Sequence, residues 1–196
     1  MPTQETLLVI LAGGFSSRMG QSKALISYYG QSQVHHLLGL ANELHLPAVI
    51  SCRKEQQPDF PDMPLLFDVP AYSGHGPVSG LLSAHHEHPG SDILLLGCDY
   101  PLLRAEHLLP LMQTKNDVHS AVCWKKTPQS KPEPLPALYR NAAIQSIAQR
   151  FELGQFSLRD FLSQEQTLCL LPNNADFLQS IDTPEQYKQI FDSLHK

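Results

Sequence analysis

The stretch Leu7–Ile26, LLVILAGGFSSRMGQSKALI, limits the fold more than any other part of the chain. Its apolar run Leu7–Leu11 is too short for a membrane span and has the length of a buried strand. The run breaks into Ala12-Gly13-Gly14. Small residues there let a ligand approach the backbone, and glycine tolerates positive φ. Arg18 and Lys23 follow, with Gly20 between them. A strand that feeds a glycine turn carrying two cations suits polyphosphate. Backbone N–H groups face the oxygens, and the cations neutralise charge that moves during reaction. The pattern is neither of the two common phosphate loops, because it lacks the GxxxxGK(S/T) order and its glycines do not fit GxGxxG. By itself it is equally a tight turn with a solvated Arg and Lys.

Downstream, strands and helices alternate. Ser32 precedes QVHHLLGLANELHL, where Val34, Leu37, Leu38, Ala41 and Leu44 give one apolar helical face, and Ser32 is placed to cap it. Ala48–Cys52 reads as a second strand, Gln56–Pro64 as irregular, and Leu65–Phe67 as a short third strand ending at Asp68. A loop, Val69–Pro77, leads to a helix from Val78 that Pro89-Gly90 closes. Asp92–Gly97, DILLLG, is the most apolar strand and reads as central, covered on both faces. It ends in Cys98-Asp99-Tyr100-Pro101 and leads to a helix over 105–114. This order predicts a largely parallel sheet with helices on both faces, an α/β architecture. Ligands bind such sheets at the carboxyl ends of the strands, where the loops after Leu11 and Gly97 both lie. The second half predicts strands at Ser120–Trp124, Pro136–Tyr139 (antiparallel) and Thr167–Leu171. It predicts helices at Ala142–Phe151, after a Ser157 cap, and from a Thr183 cap with Pro184 at the first helical position.

The whole chain narrows the class. Its 196 residues, with no linker rich enough to divide them, suit one domain, 1–196. The net charge of −5 gives no overall basic field for nucleic acid or anionic lipid. The cysteines Cys52, Cys98, Cys123 and Cys169 never form CxxC, and Cys98 and Cys123, which end apolar strand-like runs, read as buried thiols, not a disulfide frame. No basic leader and no apolar run of about eighteen residues occur, so a cytoplasmic protein without membrane contact is the expectation. His85, His86 and His88 invite a metal reading, but an exposed helix end, where imidazolium is favoured, accounts for them. His75 lies in the glycine-rich loop GHGP, where it is either a ligand contact or a plain loop residue.

With these motifs assembled, the chain resembles the molybdenum cofactor guanylyltransferases. The resemblance rests on LAGGFSSRMGQSKALI, Asp68 followed by GPVSGLLSA, then LLLGCDYP and IDTPEQY, in that order over nearly the whole chain. It implies a three-layer α/β/α Rossmann-like nucleotidyltransferase fold with a mostly parallel mixed sheet. It also implies a Mg²⁺-dependent reaction of GTP with the phosphate of molybdopterin, giving the guanine dinucleotide cofactor and pyrophosphate, with hand-off to molybdoenzymes or their chaperones. Such transfer requires positioning, a metal and charge neutralisation rather than a covalent enzyme intermediate. Position by position, the resemblance implies that Leu11, Ala12, Gly13 and Gly14 form the nucleotide-binding backbone and that Arg18 and Lys23 are the triphosphate cations. Asp68 contacts the nucleotide, and Gly76, Pro77 and Gly80 shape the base pocket. Asp99 is the Mg²⁺ ligand, a hard oxygen donor of the kind Mg²⁺ prefers.

The chain departs from that pattern in three places. Ser22 stands where the family often has Asp, and Ser51 and Ser180 stand where it often has Asn. Asp182 offers Mg²⁺ a second carboxylate, yet its place before Thr183-Pro184-Glu185 equally suits a helix start, where acids are favoured. Ser16 and Ser17, in the glycine loop, suit hydroxyl contacts to phosphate better than nucleophilic attack. Three readings therefore stand side by side: guanylyl transfer to molybdopterin, the same chemistry with CTP or another phosphate acceptor, and a non-catalytic nucleotide- or cofactor-binding protein.

Overall fold

Seven strands form one mixed sheet in the order β3-β2-β1-β4-β6-β5-β7. The structure is a computed structural model that describes residues 5–14, 22–114 and 118–195. The strands are β1 (Thr6–Leu11), β2 (Ala48–Cys52), β3 (Leu65–Phe67), β4 (Asp92–Gly97), β5 (Ala121–Trp124), β6 (Glu133–Tyr139) and β7 (Thr167–Leu170). The helices are α1 (Gln33–Glu43), α2 (Pro77–Glu87), α3 (Ala105–Met112), α4 (Asn141–Glu152), α5 (Leu158–Gln164) and α6 (Pro184–Leu194). Strands β1 to β4 run parallel, β6 runs antiparallel to both neighbours, and β7 is parallel to β5.

The strand order explains the two helical layers. From β1 the chain steps outward through β2 to β3, then returns to pair β4 on the other side of β1. Crossovers between parallel strands are right-handed, so this reversal puts α1 on one face of the sheet and α2 on the other. In agreement, α1 packs against α3 and α2 against α4. Every residue of β4 is buried, as its uninterrupted apolar sequence requires of a strand covered on both faces.

Local sequence sets the element ends. Pro77 opens α2 at its first turn, where a missing N–H costs nothing, and Gly76 before it takes φ +72°. Thr183 caps α6 by accepting from the Gln186 N–H, and the Gln186 side chain accepts from Thr183 in return. Ser157 caps α5 in the same way, through the Asp160 N–H. Ser32 stands before α1 as expected, but its hydroxyl meets the His35 ring at 2.6 Å and leaves the helix N–H groups to other partners. The segment 54–59, expected to be irregular, forms 3₁₀ turns. Strand β6 begins at Glu133, earlier than expected. Its ladder with β5 shifts register between Cys123 and Trp124, and that irregularity accommodates the prolines at 134 and 136.

The four cysteines are free thiols, and Cys169 is only half-buried. His86 and His88 are exposed at the end of α2. His85 corrects the expectation: it is half-buried, and burial, then the neighbouring His86, holds its pKa below the ordinary value, so the ring favours the neutral form. Among the described residues no helix is long and apolar enough to cross a membrane.

One buried ion pair joins the two halves of the chain. Asp92 opens β4, and its Oδ2 accepts from Arg140 Nη1 at 2.7 Å while its Oδ1 accepts from the Asn141 N–H at 2.9 Å. Arg140 also donates to the Thr114 carbonyl. Removing the carboxylate strands a guanidinium in the interior. Asp92→Ala is therefore expected to cost about 3–5 kcal/mol in urea unfolding; a loss under about 1 kcal/mol would show that the pair is dispensable.

Candidate active site

The register of β1 brings the chemistry together. Leu11 lies opposite Ser51 of β2 on one side and Gly97 of β4 on the other. Cys52 in turn lies opposite Phe67 of β3, so Asp68 leaves the sheet at the same edge. The glycine turn, Ser51, Asp68 and the Cys98-Asp99 turn thus emerge side by side, where the strand order reverses. They line a cleft of about 700 Å³ together with Lys23, Gly76, Pro77, Gly80 and Asp182. That volume suits a nucleotide-sized ligand. A second hollow of about 480 Å³ lies between α4 and α5 and holds none of the residues expected from the sequence.

The glycine turn is tied down from β2. The Ala12 N–H donates to the Ser51 carbonyl at 2.8 Å, and Gln56 Nε2 donates to the Ala12 carbonyl at 3.2 Å. Arg53 Nη1 donates to the Gly13 carbonyl. Neither Gly13 nor Gly14 takes positive φ, so the left-handed conformation the sequence allows is not used. Among the described residues, a Cβ at Gly14 would meet nothing within 4 Å. Gly80 differs, because a Cβ there would lie 2.4 Å from Leu11 Cδ2 and 2.7 Å from Ser51 Oγ. Only glycine lets α2 sit this close to the ends of β1 and β2.

Asp99 lies across the turn after β4. A Cβ on Gly97 would be 2.3 Å from Asp99 Oδ1, so the carboxylate folds back over that glycine. Burial raises its pKa above the usual carboxylate range, Lys23 and its own backbone N–H oppose the rise, and Asp182 adds to it. Asp68 is also raised by burial. Asp182 arrives from far along the chain. The Ile181 N–H donates to the Asp99 carbonyl at 2.8 Å, which docks this segment against the end of β4. Lys23 Nζ then meets Asp182 Oδ1 at 2.6 Å. Thr183 does the capping of α6, so the Asp182 carboxylate faces the cleft amine and not the helix end. Among the described residues no group of three or more metal-ligating side chains exists. Asp99 and Asp182 form instead a pair of hard oxygen donors beside one amine.

The placement of the expected residues is uneven. Leu11, Ala12, Gly13, Gly14, Lys23, Asp68, Gly76, Pro77, Gly80, Asp99 and Asp182 all line the cleft. Arg18, Ser16 and Ser17 lie outside the described residues. Ser51 is buried in the cleft floor. His75 does not line the cleft; its ring lies tilted against Phe156, with centroids 3.9 Å apart, and meets Phe151 edge-on at 5.0 Å. This contact pins the loop before α2 to the turn between α4 and α5.

The sequence profile of the MobA-like NTP transferase domain matches residues 8–168. The chain belongs to that family. It is a nucleotidyltransferase with a mixed α/β sheet. A protein of Bacillus cereus (strain B4264) called a probable molybdenum cofactor guanylyltransferase is 30% identical over 188 residues, covering 92% of this chain and 93% of the relative. A molybdenum cofactor biosynthesis bifunctional protein of Synechocystis is 29% identical, and this chain spans only about half (52%) of its length. The crystal structure of molybdopterin-guanine dinucleotide biosynthesis protein A from Archaeoglobus fulgidus superposes with a TM-score of 0.77 at 20% identity, covering 96% of this chain and 98% of that one.

In this nucleotidyltransferase Arg53 is the cleft residue that sequence reasoning missed. It lines the cleft and holds Gly13, yet in sequence it is one cation in a polar Arg-Lys-Glu run. Its signal was position: it follows the strand that pairs with β1. Leu135 was missed for a similar reason, since β6 reaches the cleft only through its antiparallel pairing with β4. The close fit of Asp99 over Gly97 gives a test. Gly97→Ala is expected to displace the carboxylate and lower turnover by about tenfold or more, while thermal unfolding shifts only as far as overpacking of about 1–3 kcal/mol requires. Wild-type turnover in that variant would show that the position of the carboxylate is not critical.

Proposed function

We propose that this protein transfers GMP from GTP to the phosphate of molybdopterin, forming molybdopterin guanine dinucleotide and releasing pyrophosphate. The observation that carries the reading is the meeting of the glycine turn, Lys23, Asp99 and Asp182 in one cleft. The names of the relatives support the choice of nucleotide and acceptor.

Each residue has a part in this scheme. The backbone of the glycine turn faces the triphosphate, and Arg53 keeps that backbone in place through the Gly13 carbonyl. The Lys23 amine neutralises charge gathering on the leaving pyrophosphate. Arg18 joins it in the role that the family resemblance implies. The loop through Gly76 and Pro77 and the half-buried Asp68 border the base side of the cleft. No hydroxyl or thiol nucleophile is required, because the acceptor phosphate attacks the α-phosphorus in line. Cys98, although in the cleft, is a poor nucleophile because burial raises its thiol pKa strongly.

Asp99 and Asp182 are the residues that would hold Mg²⁺. The fit is chemical: Asp99 is a carboxylate withdrawn from water and raised in pKa, and Asp182, which meets Lys23, adds a second hard oxygen donor of the kind a dication prefers. Two carboxylates with the remaining positions left to phosphate and water match the way Mg²⁺ binds nucleotide sites. Bound there, Mg²⁺ supplies Lewis-acid stabilisation of the transferring phosphoryl group.

Two measurements test the reading. In a thermal-shift panel with Mg²⁺, GTP is expected to stabilise the protein more than CTP, ATP or UTP; selective stabilisation by CTP would reject the guanylyl choice. With molybdopterin, GTP and Mg²⁺, the wild type is expected to release pyrophosphate, and Asp99→Ala to lose at least about a hundredfold in turnover. GTP binding without any pyrophosphate release would point to a non-catalytic nucleotide-binding protein.

A further inference from the structure

A charged rim lies beside the cleft, next to the lining residue Leu135 and on the side away from the glycine turn. The edge of the sheet reads, in spatial order, Ser51 on β2, the glycine turn on β1, Asp99 after β4, then the start of β6 and the end of β5. Leu135 of β6 lines the cleft, and Glu133 lies two residues before it. The Glu133 carboxylate, only 12% exposed, is bracketed by two cations: Arg159 Nη2 at 3.1 Å from Oε2 and Lys126 Nζ at 3.6 Å from Oε1. Arg159 Nε also donates to the Pro132 carbonyl at 3.2 Å, so its guanidinium is fixed in place while its side chain stays 47% exposed. Lys125 and Lys131 sit in the same hairpin. Two cations thus hold one carboxylate, with two more lysines in the adjoining hairpin, in a chain whose net charge is −5. Tyr100 joins this rim to the reacting side, being within electrostatic reach of Asp99 and Asp182 as well as Glu133 and Arg159.

We propose that Arg159 and Lys126, oriented by Glu133, bind the phosphomonoester of the acceptor as it enters the cleft. The inference rests on the nucleotidyl-transfer reading and deepens it. In-line displacement puts the attacking oxygen opposite the leaving pyrophosphate. Lys23 and the glycine turn hold the pyrophosphate side at β1. The opposite direction along the sheet edge runs past Asp99 to β6 and β5, where this rim lies. A guanidinium already held by two contacts loses little freedom on meeting an oxyanion, and its planar fork suits phosphate. The excess positive charge also draws an anionic acceptor to that side of an otherwise acidic protein. Substrates lacking a phosphomonoester gain nothing from these two residues.

The test separates the two ends of the reaction. Steady-state rates are measured with GTP and molybdopterin varied in turn, for Arg159→Ala, Lys126→Ala and Arg159→Lys. The alanine variants are expected to raise the acceptor KM by about tenfold, the worth of one charge-assisted contact. Their kcat and GTP KM are expected to stay within about twofold of wild type. The acceptor kcat/KM of the alanine variants should depend less steeply on salt than that of wild type, which loss of packing alone would not produce. Arg159→Lys should recover part of the loss. Lys126→Glu, in an exposed loop, serves if Arg159→Ala does not fold, with the GTP-induced thermal shift checking the nucleotide site. An unchanged acceptor KM with an unchanged salt slope overturns this assignment and leaves nucleotidyl transfer standing. A GTP KM that rises as much as the acceptor KM shows that the rim serves the nucleotide and also overturns it. A wild type that makes no product from any nucleotide overturns the underlying reading itself.

Discussion

Parallel pairing of β1 between β2 and β4 is the constraint on which the site depends. Pairing in register puts Leu11, Ser51 and Gly97 in one line, so three loops with no sequence proximity share an edge. A one-residue slip would turn the apolar side chains of β1 to the opposite face and misplace the glycine turn. The slip is prevented from both sides. Residues 7–10 are buried completely or nearly so, and the turn is bonded to the Ser51 carbonyl, to Gln56 and to Arg53. The same burial that stabilises the fold therefore sets the distance between the glycine turn and Asp99.

The cleft concentrates charge that the interior cannot solvate. Asp99 is withdrawn from water, and its raised pKa records the cost. Lys23 offsets part of that cost and pairs directly with Asp182. A cation that arrives with a nucleotide would relieve the remainder, so binding energy and electrostatic strain are coupled by design of the site. The buried Asp92–Arg140 pair shows the other use of charge in this protein. There each partner also bonds a backbone group, and the pair fastens β4 to the start of α4.

Much of this was legible in the sequence where a single physical signal dominated. β1 and β4 are apolar runs ended by glycine, and both ends fell within a residue of the structure. The caps at Ser157 and Thr183 were readable because their chemistry is local. Where the signal depended on pairing, reading failed. The antiparallel strand expected at Pro136–Tyr139 is present, but its start at Glu133 was not legible, because only the register shift opposite Trp124 lets Pro134 and Pro136 fit in the sheet. Arg53 became visible once β2 was known to pair with β1. His85 looked like a solvated helix-end residue, yet the helix turns it partly inward. Asp182 was undecided between capping and the cleft, because the choice rests on a long-range bond between Ile181 and Asp99.

That bond has a consequence for how the protein is made. The last strand ends at Leu170, and the family profile matches only as far as residue 168, before Ile181 and Asp182. A ribosome making the chain from its N-terminus has therefore joined every described strand before Asp182 is added. Until then the ion pair between Lys23 and Asp182 cannot form. Completion of the site is a late event in synthesis, timed by the C-terminal segment rather than by closure of the sheet.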